Sequence, residues 1–202
     1  MSIFDWFKNS KKNESESIEH RLAALQPLGL GLNSGRTVAE LLESWDREAF
    51  DQDPILLYLS LGGEVEVGPT QGERFCDRMW RFDTECVTGS GDYVEIINNL
   101  SRLTSGELSI SNVIDSVDLD ARTAWVAFDV GNDRCHWEAV VDDDWADMSI
   151  ITKFAALLES RSSERRIATV ETGGQDCLLV CIRKGDLSKL RTISRLEWKW
   201  LS

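Results

Sequence analysis

With 202 residues, 42% of them hydrophobic and 28% charged, the chain has the composition of a globular protein large enough for one sizeable core, which excludes a disordered polymer. Its net charge of −13 excludes a bare nucleic-acid role, because phosphates are held by clustered cations. The longest apolar run, Pro54-Ile-Leu-Leu-Tyr-Leu-Ser-Leu61, is less than half of the roughly 20 residues a membrane helix needs, which argues against stable membrane insertion.

The start, Met1-Ser-Ile-Phe-Asp-Trp-Phe-Lys8, has neither a basic region ahead of its apolar residues nor a small-residue cleavage site behind them, so no secretory signal is expected. Ile3, Phe4 and Phe7 fit one helical face, followed by Lys8, Lys11 and Lys12. Such a segment suits either a weak membrane or partner contact, or a terminal turn docked on its own domain. Residues 9–17 are polar and aperiodic, the composition of a tether, so the chain divides into an N-terminal segment and tether, 1–17, and one domain, 18–202.

The first strong helix signal is the capping box Thr37-x-x-Glu40, followed by Val38, Leu41, Leu42, Trp45 and Ala49 at helical spacing. A second helix is predicted over 92–104, with Asp92 as N-cap, Glu95 three residues later and Gly106 to end it. A third runs from about Asp147 to Ser160 and buries Ile150, Ile151, Phe154, Leu157 and Leu158.

Strands alternate with helices too irregularly for a doubly wound sheet. The expected fold is α+β, a mostly antiparallel sheet built from hairpins with helices packed against it. One hairpin joins 125–130 to 135–141 through Gly131-Asn132-Asp133, and 108–119 extends it into a meander. A second joins 166–171 to 176–183 through Gly173-Gly174. Leu178, Val180 and Ile182 on one face, with Cys177, Leu179 and Cys181 on the other, mark a strand covered on both sides. Leu196, Trp198 and Trp200 alternate with charged residues as in a strand with one buried face.

The charge is unevenly placed. Between Glu107 and Ile150 eleven carboxylates oppose only Arg122 and Arg134, a stretch of −9, whereas residues 151–202 carry +4. These acids either solvate the outer face of the meander or form a docking face for a basic protein, where concentrated charge raises the association rate and selects orientation. The candidate partner-binding residues are Asp115, Asp118, Asp120, Trp125, Asp129, Asp133, Asp142, Asp143, Asp144 and Trp145, with Asp129 on the strand face of Trp125. Of the eight tryptophans, Trp6, Trp125 and Trp145 have the weakest core assignments.

No HExxH, P-loop, GxGxxG or GxSxG occurs, and Asp142-Asp-Asp-Trp-Ala-Asp147 lacks the glycine and closing glutamate of an EF-hand. No catalytic set, metal or cofactor is assigned. The enzymatic alternative is a hydrolase that uses His136 with a metal held by Glu138 and Asp142 to Asp144, or with Cys177 as nucleophile behind the glycine turn. Five cysteines without a CxxC pair, Cys76, Cys86, Cys135, Cys177 and Cys181, suit a reducing, cytoplasmic setting.

Asp142-Asp-Asp-Trp-Ala-Asp147 with the helix after it, Gly173-Gly-Gln-Asp-Cys177 and the closing Leu196-Glu-Trp-Lys-Trp200 together resemble uncharacterised bacterial α+β proteins of the toxin-immunity type. The resemblance covers the C-terminal third and carries over no functional residue. It implies an acidic inhibitor that occludes a basic toxin or nuclease.

Overall fold

The computed structural model describes residues 17–66, 68–161 and 164–201. The expected N-terminal face of Ile3, Phe4 and Phe7 and most of the tether lie outside the described residues. Ser17, the last residue of that tether, is already the N-cap of helix α1 (Ile18–Leu25), its side chain accepting from the His20 amide at 3.3 Å. Ile18, Leu22 and Leu25 form the buried stripe of α1.

The Thr37 capping box forms as expected, but it opens a helix of only seven residues, α2 (Val38–Ser44). Trp45 leaves the helical conformation and Asp46 caps a new helix, α3 (Arg47–Gln52), by accepting from the Ala49 amide at 2.8 Å. A competing N-cap therefore divides one predicted helix into two and leaves Trp45 half-exposed. The Leu-rich run after Pro54 is helix α4 (Ile55–Gly62), whose last residue lies directly against strand β1 (Met79–Asp83).

The hairpins fall into two antiparallel sheets. One has the order β1-β6-β5-β7 and is built from β5 (Arg165–Glu171), β6 (Asp176–Arg183) and the short β7 (Lys199–Trp200) around β1. As its composition predicts, β6 is covered on both faces, with Cys177 to Ile182 all buried. Leu178, Val180 and Ile182 join a core formed with α1 to α4 and helix α7 (Leu187–Ser194). Trp198 is fully buried in that core, donating its indole N–H to Ser194 Oγ at 3.0 Å. Cys177, Leu179 and Cys181 join a second core on the opposite face.

That second core is closed by helix α5 (Asp92–Leu103), helix α6 (Met148–Ser160) and the other sheet, the meander of β2 (Ile110–Asp118), β3 (Thr123–Val130) and β4 (Asp133–Ala139). Ala124, Val126, Phe128 and Val130 on β3 face α5 and α6. The fold is thus layered, with helices, a four-stranded sheet, a helix pair and a three-stranded sheet whose far face meets solvent. Among the described residues no helix is long and apolar enough to cross a membrane.

Candidate functional site

Among the ten candidate docking residues, several carboxylates also serve the fold. Asp115 lies on the inward side of β2 beside the start of α5. It accepts from the backbone amides of Gly91, Tyr93 and Val94 at 2.7, 2.9 and 3.2 Å. The sequence makes Asp92 the N-cap of this helix. In the structure Gly91 holds that position at φ +108°, a conformation suited to glycine, and a strand carboxylate 24 residues away supplies the cap. Asp92 instead receives the Thr88 and Gly89 amides at 2.6 and 2.9 Å.

Asp129 is similarly engaged. A bulge in β2 places Asn112 at φ +51°, and the Asp129 carboxylate accepts from the Asn112 side-chain Nδ2 at 2.6 Å and from Arg134 at 3.0 Å. These two donors hold the Asp129 carboxyl below the usual carboxylate range. Asp133 pairs with Arg161 at 2.7 Å, and Asp118 turns the β2–β3 connection by accepting from the Ala121 amide at 2.8 Å.

The remaining acids converge through topology. Because β3 and β4 are antiparallel, with Ala124 opposite Ala139, the β2–β3 turn and the chain leaving β4 emerge at the same end of the meander. Asp118, Asp120, Glu138, Asp142, Asp143 and Asp144 gather there against Arg122 and Lys153. Among the described residues, the side chains of Asp120, Asp142, Asp143 and Asp144 have no hydrogen-bond or ion-pair partner. The loop itself is fixed by its backbone: the Asp144 carbonyl accepts from Val87 at 2.8 Å and the Ala146 amide donates to Thr84 at 2.7 Å. Asp147 caps α6 and accepts from the Val140 amide at 2.8 Å. Burial pushes its pKa up, but the Val140 and Ser149 amides outweigh that and leave it lowered.

Exposed apolar groups collect at the same end. Of six large hydrophobic side chains exposed among the described residues, Leu119 lies in the turn, Val140 and Trp145 in the loop that carries Asp142 to Asp144, and Met148 at the start of α6 directly after it. Trp125 is half-buried on the outer face of β3, stacked on His136 of β4 with ring centroids 5.0 Å apart. The patch was only partly legible: charge density marked its acids, whereas Leu119, Val140 and Met148 carry no signal in isolation.

The ring contacts of His136 are Trp125 and, at 3.1 Å through Nε2, Glu138, all on the solvent face of the meander. Among the described residues no group of three His, Cys, Asp or Glu side chains could hold a metal. Cys177 belongs to the inner core, and burial pushes its thiol up to about 11, as it does for Cys76, Cys86 and Cys181. A thiol of that kind is protonated at neutral pH and is a poor nucleophile. With an aryl disulfide reagent at pH 8, Cys76, Cys177 and Cys181 are expected to react only as fast as the chain unfolds. Rapid labelling of the Cys177 peptide in the native protein would show an accessible nucleophile instead.

A cleft that the sequence did not reveal lies between α4 and β1. It encloses about 700 Å³ and is walled by Trp45, Leu56, Leu59 and Trp80, with Glu66 and Glu95 at its edge. Its arginines are already paired, Arg74 with Glu64 at 2.8 Å and Arg81 with Asp176 at 2.7 Å. No protein-family model, no curated protein and no solved structure matches this chain.

Proposed function

We propose that this chain is a protein-binding domain that docks a basic protein on the acidic and apolar end of its meander. In its sharpest form it is an immunity-type inhibitor that occludes a cationic toxin or nuclease. One observation carries the reading: Leu119, Val140, Trp145 and Met148 stand exposed where the side chains of Asp120, Asp142, Asp143 and Asp144 have no hydrogen-bond or ion-pair partner among the described residues. Apolar anchors among unpaired charge are the makings of an interface, in which the anchors hold the complex and the charge steers encounter. Carboxylates that only solvate a turn need no such company of exposed hydrophobes.

The test is the triple reversal Asp120→Lys, Asp142→Lys and Asp144→Lys. Asp143 is left alone because its φ of +56° favours Asp over Lys. Wild-type chain immobilised in lysate of its host is expected to retain a basic protein at low salt and release it at high salt. The reversed chain is expected to bind that protein at least about tenfold more weakly with an unchanged unfolding midpoint. Equal retention by both chains would remove the acidic end from the interface.

A further inference from the structure

Strand β1 is the end strand of the four-stranded sheet, and among the described residues only one of its edges is paired. The Cys181 amide donates to the Arg78 carbonyl at 3.2 Å and the Thr84 amide to the Gln175 carbonyl at 3.1 Å. Bonded pairs recur at every second residue of an antiparallel ladder, so Trp80 and Phe82 turn their backbone groups to β6, and Arg81 and Asp83 turn theirs outward. Gly62 packs against the Arg81 nitrogen, which leaves the Arg81 carbonyl and both backbone groups of Asp83 without a hydrogen-bond partner among the described residues. The other strand edges are better closed. The Val117 amide of β2 donates to Ser90 Oγ at 2.9 Å, Lys153 Nζ donates to the Glu138 carbonyl of β4 at 3.1 Å, and β7 has only two residues.

The cleft between α4 and β1 lies along this open edge, because its walls come from both faces of the sheet: Leu56 and Leu59 of α4 on one side, Trp80 and the α5 residue Glu95 on the other. It runs on into a recess of about 180 Å³ beside Asp83, Cys86 and Asp92, the two sharing Trp80, Arg81 and Glu95. The charge around this groove is negative. Glu66 and Glu95 are exposed and their side chains have no partner among the described residues, Asp83 and Asp92 line the recess, and Arg74 and Arg81 are neutralised by Glu64 and Asp176. Open strand backbone suits an extended peptide, apolar walls suit aliphatic or aromatic side chains, and unpaired carboxylates suit lysine or arginine. We infer that the free edge of β1 takes an extended basic segment of a partner protein as a fifth strand of the sheet, with alternate side chains in the cleft. This site shares no residue with the acidic end of the meander and stands independently of the docking function proposed there.

Random peptides of about twelve residues, long enough for a strand, displayed on phage and selected on the immobilised full-length chain test this. The enriched sequences are expected to alternate Lys or Arg with apolar or aromatic residues. In a synthetic peptide of that sequence two amides, two residues apart, face β1. N-methylation of either is expected to weaken binding at least about tenfold, and methylation of the amide between them less than about threefold, which is the period of a strand ladder. The double variant Glu66→Lys, Glu95→Gln alters only exposed side chains, and it is expected to weaken binding about tenfold in a chain that stays folded. The meander reversal Asp120→Lys, Asp142→Lys and Asp144→Lys is expected to leave peptide affinity within about threefold at physiological salt. No enrichment of basic peptides, N-methyl effects without alternation, or a loss with the meander reversal that equals or exceeds the loss with the cleft variant would each overturn the assignment.

Discussion

Replacing Gly62 by alanine is expected to destabilise the protein by about 2 kcal/mol, although helix propensity alone would favour alanine by up to about 1 kcal/mol. Gly62 ends α4, and a Cβ there would lie 2.6 Å from the Arg81 backbone nitrogen, 3.0 Å from the Trp80 carbonyl carbon and 3.1 Å from Leu178 Cδ2. Two of those neighbours are strand backbone, which cannot rotate away as a side-chain terminus can. Relief requires α4 to move off the sheet, opening contacts in the core on that face, and overpacking of this kind costs about 1 to 3 kcal/mol. Thermal unfolding should show Tm lowered by about 4 to 8 °C for a chain of this size. A raised Tm would mean that propensity wins and that the helix and the strand are not in close contact.

Asp115→Ala is expected to lower stability by about 2 to 3 kcal/mol, whereas Asp120→Ala changes it by no more than about 0.5 kcal/mol. The two residues have the same chemistry and lie five positions apart in the same acidic stretch. The Asp115 carboxylate satisfies three amides at the start of α5, groups that otherwise remain unpaired at a partly buried helix end. A carboxylate there also meets the positive end of the helix dipole. Asp120 is exposed in the β2–β3 turn and its side chain has no partner among the described residues. Asp115→Asn keeps one acceptor but loses the charge, and about half of the loss is expected. Urea unfolding midpoints of the three variants separate these effects. If Asp115→Ala and Asp120→Ala prove equally mild, the Asp115 carboxylate does not cap α5.

The helices that the sequence made legible, α2, α5 and α6, each combine an apolar stripe with polar capping signals within a dozen residues. Both hairpins announced themselves by glycine turns between β-rich runs, and β6 by apolar residues on both faces. Helix α4 was not legible, because Ile55 to Leu61 is apolar almost throughout and has no period that separates a buried helix from a buried strand. Strand β1 was missed for another reason. Its five residues pair with β6 about a hundred positions away, and no hairpin turn points to that partner. At Trp45 the apolar spacing continues past a point where Asp46 starts a new helix, so periodicity predicted one element and the local cap made two.

The candidate site divides along the same line. The concentration of carboxylates, their lack of company from cations and the antiparallel hairpins that carry them were determined by the sequence itself. Which carboxylates are spent inside the fold was decided only by tertiary structure, since the donors that engage Asp115, Asp129 and Asp133 lie between 5 and 28 residues away. The cleft between α4 and β1 is likewise absent from any local pattern, because its walls come from segments that meet only when the helix packs on the sheet. Periodicity and capping act through neighbours on the chain and can be read from it, whereas hydrogen bonds, ion pairs and concavity depend on neighbours in space.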